Sequence, residues 1–180
     1  MTEPIRYFRP DRTHFASLRT MARAVFADTF GHLYEPAPFS SFLEKTYGLE
    51  GTMERDLADS SIRWLVAASA EDILGYAKLS QLKAPAPAPQ SGAMELQQIY
   101  VLHGWHGRGL ADRLMAWALD EARREHAPEI YLTVFDHNQR AKGFYTRYGF
   151  VEVGRCTFTL GDRIDDDRVW RKGLLGSLTR

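Results

Sequence analysis

A strand, a glycine-rich turn and a helix, predicted in that order over residues 96–114, constrain the fold of this chain most strongly. The turn contains Gly104, Gly107 and Gly109. A helix that begins at such a turn leaves its first backbone N–H groups without partners, at the positive end of the helix dipole. Glycine lets an anion approach these donors closely. The pattern therefore predicts a phosphate site at residues 107–111, or else a tight structural turn.

The charge balance and the cysteine count limit the classes of partner. The chain has 180 residues, with 23 basic and 23 acidic side chains, which argues against a nucleic-acid binder that neutralises phosphates. The single Cys156 excludes an internal disulfide and fits a reducing compartment. No apolar run reaches the length of a membrane span. We expect one cytoplasmic domain over residues 1–180, with no nucleic-acid or membrane partner.

The periodicity of apolar residues predicts a mixed α/β fold. A short strand and two or three helices come first, then three strands, and the order after the turn is helix, strand, helix and two strands. The last helix before residue 129 is predicted to stop at Pro128. Residues 84–92 alternate proline with small residues and are predicted as an exposed loop. The last strands are placed at residues 151–160 and 168–172, and a hairpin joins residues 63–68 to 73–82 through Glu71 and its neighbours.

Two familiar nucleotide-binding turns do not match the glycine turn. A P-loop needs a lysine followed by serine or threonine after its last glycine, whereas Leu110 and Ala111 follow Gly109 here. A dinucleotide-binding fold places its glycines after its first strand, and in this chain hairpins come first.

A second pattern, at residues 138–150, reads Asn-Gln-Arg-Ala-Lys-Gly-Phe-Tyr-Thr-Arg-Tyr-Gly-Phe. With Ile-Tyr-Val at 99–101 and His-Gly-Arg-Gly-Leu-Ala at 106–111, it closely resembles the GCN5-related N-acetyltransferases (GNAT). The resemblance implies an acetyl-CoA-dependent N-acetyltransferase with a central, mostly antiparallel mixed sheet, splayed central strands and flanking helices. The family motif begins with Arg or Gln at the position of His106, so this substitution is expected to weaken the pyrophosphate site.

The resemblance also implies roles for individual residues. Those expected to bind acetyl-CoA are Ile99, Tyr100, Val101, His106, Gly107, Arg108, Gly109, Leu110, Ala111, Asn138 and Tyr145. Backbone groups of Ile99 and Val101 would pair with the pantetheine arm, and the turn would hold the pyrophosphate. Tyr145 matches the tyrosine that protonates the departing thiolate, and a phenol with a pKa near 10 is able to donate at neutral pH. Asn138 is a pantetheine contact, a helix N-cap, or both.

The general base is less well defined. Glu95, at the start of the splayed strand, matches a catalytic glutamate of several relatives, and the alternative is a solvated strand end. Asp28 and Glu54 are further acids that would attract the amine or relay its proton. Lys142 and Arg140 would meet the 3′-phosphate of CoA or lie on a solvated helix face.

A metal site is not expected. His103 and His106 have a ligand-like spacing, but they lie in a loop with neither a cysteine partner nor a third ligand nearby. Cys156 is expected to be structural.

The acceptor remains open among several amines. Asp28-Thr29-Phe30 and Phe158-Thr-Leu-Gly-Asp162 resemble the bacterial spermine/spermidine N-acetyltransferase branch, which favours a polyamine-like small molecule. The acidic run Asp162, Asp165, Asp166 and Asp167 would hold the distal charge of such an amine, or would form a solvated hairpin turn. A protein, peptide or amino-acid amine is also open, as is a CoA-binding sensor without turnover. Many relatives dimerise, so a homodimer is a further expectation.

Overall fold

The structure, a computed structural model, describes residues 4–70 and 72–174. This part of the chain contains five α-helices and seven strands. The helices are α1 (Phe15–Phe30), α2 (Pro36–Tyr47), α3 (Thr52–Ala58), α4 (Leu110–Arg124) and α5 (Gln139–Arg147). The strands are β1 (Arg6–Phe8), β2 (Arg63–Ser69), β3 (Asp72–Gln81), β4 (Met94–Val101), β5 (Glu129–Phe135), β6 (Val151–Leu160) and β7 (Arg163–Gly173).

The strands form one mixed sheet in the order β1-β2-β3-β4-β5-β7-β6. The pairs β1–β2, β5–β7 and β6–β7 are antiparallel, and β4–β5 is parallel. This arrangement confirms the predicted mixed, mostly antiparallel sheet with flanking helices. Glu71, in the predicted hairpin turn, lies outside the described residues.

Internal contacts divide the chain into two compact units, and the division runs through β3, β4 and α4. Unit 1 contains residues 1–78 and 98–117, and unit 2 contains residues 79–97 and 118–180. A single domain over residues 1–180 stays a prediction.

In unit 1, helix α1 presents one apolar face to the core. Its buried residues recur at helical spacing and are Phe15, Leu18, Met21, Ala22 and Phe26. Close packing between β3, β4 and α4 depends on Gly75. A Cβ atom at Gly75 would lie 2.8 Å from the Tyr100 carbonyl oxygen and 3.4 Å from Leu114, so a side chain there would force the elements apart.

In unit 2, strands β4 and β5 pair over only two residues. The parallel ladder joins Met94 to Ile130 and Glu95 to Tyr131, and within the described part of this unit Leu96 and Gln97 have no ladder partner on β5. The two strands therefore separate soon after they begin, which confirms the predicted splay.

The end of helix α4 differs from the prediction. The helix ends at Arg124, before Pro128, because His126 takes a left-handed conformation (φ 58°). The N–H of Ala127 then bonds back to the carbonyl of Ala122 at 3.0 Å, which closes the helix end.

The start of β7 also differs, because the strand begins at Arg163 instead of residue 168. The predicted hairpin turn is therefore wrong for Asp165, Asp166 and Asp167, which lie in the strand. Arginine makes this possible: Arg163 pairs with the buried Asp165 at 2.6 Å, and Arg168 bonds to Asp166 at 3.1 Å. Only Asp162 lies in the turn.

None of the helices in the described ranges combines the length and the apolarity that a membrane crossing requires.

Candidate active site

The glycine turn lies in unit 1 and is open to solvent. Gly107 and Gly109 are exposed and have φ values of 72° and 81°, a region that side-chain-bearing residues rarely adopt. No described atom lies within 4 Å of a Cβ built at either position. Helix α4 begins directly after, at the buried Leu110, and its first N–H groups have no acceptor within the helix. The turn therefore offers free space over helix N-terminal donors.

Charges around the turn are mixed. The exposed Arg108 lies 4.9 Å above the ring centroid of Trp105, so one cation stands at the turn itself. Asp112 lies in the first turn of α4 and opposes the attraction of an anion. The binding of an anion at the turn therefore depends on backbone donors as much as on side-chain charge.

His106 holds the end of β4. Its Nε2 lies 2.9 Å from the carbonyl oxygen of Val101, and because a carbonyl only accepts, this nitrogen carries the proton. The Val101 carbonyl, one of the backbone groups predicted to pair with pantetheine, therefore already accepts one hydrogen bond from a side chain. The Nε2 donor of His106 is thus used by the protein backbone. The family motif has Arg or Gln at this position.

Asn138 and Tyr145 lie in unit 2, on helix α5 and its N-cap. The Asn138 side chain accepts a hydrogen bond from Ala141 N at 3.1 Å, which confirms the predicted N-cap role. Tyr145 is half-buried, and its ring centroid lies 5.7 Å from that of Phe144 and 6.0 Å from that of Phe150. These contacts fix the ring between two aromatic neighbours.

The segment before α5 is fixed by Asp136, which pairs with Arg168 at 2.9 Å and with Lys142. Hydrogen bonds from Arg168 and Lys142 lower the pKa of Asp136 to about 2. The sequence predicts for Lys142 either a CoA phosphate or a solvated helix face, and neither expectation includes this ion pair. Arg140 is exposed.

Glu95 is only 8% exposed, so the alternative of a solvated strand end is wrong. Its Oε2 accepts hydrogen bonds from the backbone N–H groups of Lys83 and Ala84, both at 2.8 Å. Glu129 binds the other end of the same proline-rich loop, where it accepts from Gln90 N at 2.8 Å. Glu95 therefore anchors this loop, whatever else it does.

Glu54, Asp28 and Asp167 are the remaining acidic residues of interest, and their surroundings differ. Glu54 accepts from the backbone N–H of Glu50 at 2.7 Å and so supports a turn in which Glu50 has a φ of 59°. Asp28 is exposed on α1. In unit 2, burial and the nearby Asp165 and Asp166 raise the pKa of the half-buried Asp167 to about 6.

The two glutamines at the middle of β4 were not predicted as site residues. Gln97 Nε2 donates to Ser80 Oγ at 2.6 Å, and Gln98 Oε1 accepts from Tyr76 Oη at 2.9 Å. In each unit, one glutamine of β4 is thus bonded to a polar side chain of β3. The alternation of residues along β4 does not indicate these partners.

The two loop histidines and Cys156 are the remaining residues with ligand or thiol chemistry. Within residues 4–70 and 72–174, no group of three or more His, Cys, Asp or Glu side chains is arranged to hold a metal ion. The rings of His103 and His106 lie 5.2 Å apart, edge to face. Burial and nearby carboxylates, Asp167 first, raise the pKa of the Cys156 thiol, which makes it a poor nucleophile.

The predicted site residues fall into two sets. Unit 1 holds residues 99–101 and 106–111, and unit 2 holds Glu95, Asn138 and Tyr145. The sequence profile of the acetyltransferase (GNAT) family matches residues 25–150, which include all of them. The chain belongs to this family. The prediction of an acetyltransferase from the two motifs is thereby confirmed.

Relatives within the GNAT family cover most of the chain. A protein described as an uncharacterized N-acetyltransferase in the pepI 3′ region of Lactobacillus delbrueckii subsp. lactis is 29% identical over 155 residues, which are 86% of this chain and 89% of that protein. The uncharacterized N-acetyltransferase Rv2669 of Mycobacterium tuberculosis is 39% identical over 82 residues, which are 46% of this chain and 53% of that protein.

Solved GNAT structures share the fold. The PaiA N-acetyltransferase of Thermoplasma acidophilum, solved in complex with coenzyme A, superimposes with a TM-score of 0.73. The alignment covers 94% of this chain and 99% of that one at 17% identity, a level that supports the fold alone.

Proposed function

We propose that this acetyltransferase transfers an acetyl group from acetyl-CoA to the primary amine of a small molecule, with an aliphatic, polyamine-like amine favoured. The open glycine turn at the start of α4 is the observation that carries the proposal. Its two left-handed glycines leave space for a pyrophosphate over the first N–H groups of the helix. The PaiA neighbour is a coenzyme A complex, and this supports the same cofactor here.

The proposed reaction is a direct attack in a ternary complex. The amine nitrogen forms a bond to the thioester carbon, the carbon–sulfur bond breaks, and the thiolate takes a proton from Tyr145. The enzyme contributes mainly by positioning the two substrates. Residues 107–111 would hold the pyrophosphate, while backbone groups of β4 around Ile99 would orient the pantetheine arm. Asn138 would contact the arm in addition to capping α5.

Glu95 is our proposed acceptor of the amine proton, through its second carboxylate oxygen. Oε2 is occupied by the two N–H groups of the proline-rich loop, so Oε1 is the atom that would take a proton, directly or through water. Glu54 is less suited because it already supports the turn at Glu50.

A second candidate is a CoA-binding sensor without turnover. His106 favours it, because this residue replaces the Arg or Gln of the pyrophosphate motif and its Nε2 is bonded to the Val101 carbonyl. Within the enzyme class, an amine of a protein, a peptide or an amino acid is the competing acceptor. A cytoplasmic location and a homodimer stay predictions.

The test is a thiol-release assay with acetyl-CoA over a panel of polyamines, simple monoamines, amino acids and peptides. Calorimetric titration of acetyl-CoA into the protein measures cofactor binding in parallel. We expect binding together with the fastest release on an aliphatic primary amine. Binding with no release on any amine would support the sensor, and absence of binding would contradict both functions. Size-exclusion chromatography with light scattering reports the oligomeric state.

A further inference from the structure

Three tyrosines and one glutamine converge in unit 1, and we call them the phenol cluster: Tyr47, Tyr76, Tyr100 and Gln98. Tyr76 Oη donates to Gln98 Oε1 at 2.9 Å, and the rings of Tyr76 and Tyr100 lie 5.5 Å apart, edge to face. Tyr47 belongs to α2 and approaches the same glutamine and Tyr100 from the helix side. Polar atoms from one helix and two strands therefore meet in an otherwise aromatic environment.

The hydroxyl of Tyr47 has no hydrogen-bond partner among the described residues. Tyr47 is 1% exposed. Tyr100 and Gln98 lie near enough to its oxygen to lower its pKa through hydrogen-bonding influence, against the larger effect of burial, but none of the described atoms meets the full geometry of a hydrogen bond. Burying a hydroxyl without a partner costs about 1–3 kcal/mol. A phenylalanine would fill the same space without that cost. A buried hydroxyl of this kind has room in its hydrogen-bonding capacity for one further partner.

The phenol cluster lies on the side of β4 opposite the glycine-turn helix. Val101 and Leu114 of α4 both contact the position of Gly75, so they mark one face. Because side chains alternate along a strand, Tyr100 points to the other face, toward α2. Gln98 and Tyr100 are partly exposed, so the cluster borders solvent on the β4 side. A molecule bound at this place would lie across β4 from a cofactor held by the turn.

The cluster is uncharged at neutral pH. Burial raises the pKa of Tyr47 to about 12 and the pKa values of Tyr76 and Tyr100 well above their usual range. Aromatic rings surround it, with Phe26 6.1 Å from Tyr47 and Trp64 5.6 Å from Tyr76 between centroids. Near Trp64, the charges of Lys78 and Asp56 form an ion pair with each other, and on α2 Glu44 pairs with Arg23.

This chemistry suits the nitrogen of an amine that must react as a neutral nucleophile. A carboxylate would raise the pKa of the bound amine and keep it protonated. A neutral phenol oxygen accepts an N–H hydrogen bond without that penalty, and the rings contact the methylene groups of an aliphatic chain. The cluster thus provides one directional hydrogen bond in an apolar surface, as small-molecule sites commonly do.

We infer that the Tyr47 hydroxyl accepts a hydrogen bond from the nitrogen of the acceptor amine, with Gln98 and Tyr100 forming the entrance to this subsite. The inference rests on the proposed function. It makes Tyr47 a specificity-determining residue for aliphatic primary amines.

The test compares Tyr47→Phe with the wild-type protein in the thiol-release assay and in thermal unfolding. We expect the KM for the amine to rise about tenfold, which is the loss of one hydrogen bond to the substrate. The affinity for acetyl-CoA should not change, and the unfolding temperature should stay the same or rise, because none of the described residues bonds to the hydroxyl. Tyr131→Phe is the matched control, since its buried hydroxyl donates to Glu129 at 2.8 Å. This control should lower the unfolding temperature and leave the KM unchanged.

Two outcomes would overturn the inference. An unchanged KM with unchanged or raised stability would mean that no substrate uses the hydroxyl. An unchanged KM with lowered stability would mean that the hydroxyl is satisfied within the protein, for example by a buried water. If the wild-type protein releases no thiol with any amine, the proposed function fails, and calorimetric titration of 1,4-diaminobutane into the CoA-loaded protein then decides the inference separately. Weaker binding to Tyr47→Phe would support it, and equal binding, or none to either protein, would overturn it.

Discussion

Arg168 holds both carboxylate oxygens of Asp136, with Nε at 3.0 Å from Oδ1 and Nη2 at 2.9 Å from Oδ2. This two-point contact joins β7 to the segment that leads into α5 and fixes its orientation as well as its distance. Lys142 of α5 pairs with the same carboxylate. The helix that presents Asn138 and Tyr145 is thereby attached to the sheet of unit 2 through one aspartate.

Replacement of Asp136 by Asn should lower the unfolding temperature by an amount that depends on pH. Hydrogen bonds from Arg168 and Lys142 lower the pKa of Asp136 from 3.8 to about 2 in the folded protein. The stabilisation of the folded protein by these contacts of Asp136 is therefore present above the unfolded pKa of 3.8 and is lost as the pH falls through about 2. The difference between wild type and Asp136→Asn should be a few degrees at pH 6 and should shrink toward zero near pH 2. Asp120→Asn, which breaks an exposed pair with Arg123, is the control and should have little effect at any pH.

Replacement of Gly109 by Asp should abolish the binding of acetyl-CoA. The substitution adds a negative charge at the helix N-terminus and a side chain at a φ of 81°, so affinity should fall about 100-fold or more. Gly104→Asp adds the same charge to the same loop, at a position with open space and without a left-handed backbone. Calorimetry should show nearly unchanged affinity for this control. Equal affinities of the two variants would mean that the turn is only structural.

Tyr145→Phe should reduce kcat by about 100-fold or more, because the departing thiolate loses its proton donor. The affinity for acetyl-CoA should stay close to that of the wild type, since the ring keeps its contacts with Phe144 and Phe150. Tyr148→Phe, at the C-terminal end of the same helix, is the matched control and should retain full turnover. An unchanged kcat for Tyr145→Phe would remove this residue from the role of general acid.

Two substitutions at Glu95 separate catalysis from loop anchoring. Gln accepts the hydrogen bonds of Lys83 and Ala84 through its amide oxygen, so Glu95→Gln should keep the unfolding temperature while lowering kcat about 100-fold. Ala leaves both N–H groups unpaired, so Glu95→Ala should also destabilise the protein by about 2 kcal/mol. Full activity of Glu95→Gln would restrict the residue to anchoring the loop.

The features that depend on neighbouring residues in the sequence could be predicted well. The left-handed glycines of the turn and the N-cap at Asn138 follow from backbone sterics and from hydrogen bonds between residues three apart. The open turn and the capped helix are thus local consequences of the sequence. The family resemblance added the mostly antiparallel sheet and the splay of its central strands.

The features that depend on distant partners could not be predicted. A solvated hairpin turn is one of the two expectations for the acidic run, yet Arg163 and Arg168 pair with two of its carboxylates within β7. The role of Glu95 depends on a loop that folds back more than ten residues away. The environment of the Tyr47 hydroxyl depends on how one helix packs against two strands. The spacing of apolar residues along the chain does not predict this packing.

The proline-rich loop between β3 and β4 has a consequence for any ligand that touches it. Its alternating prolines already restrict the unfolded chain, and the carboxylates of Glu95 and Glu129 secure its two ends. Little conformational freedom is therefore left to lose when a ligand arrives. Binding against this loop should gain affinity from preorganisation, and discrimination among amines should depend on shape more than on induced closure.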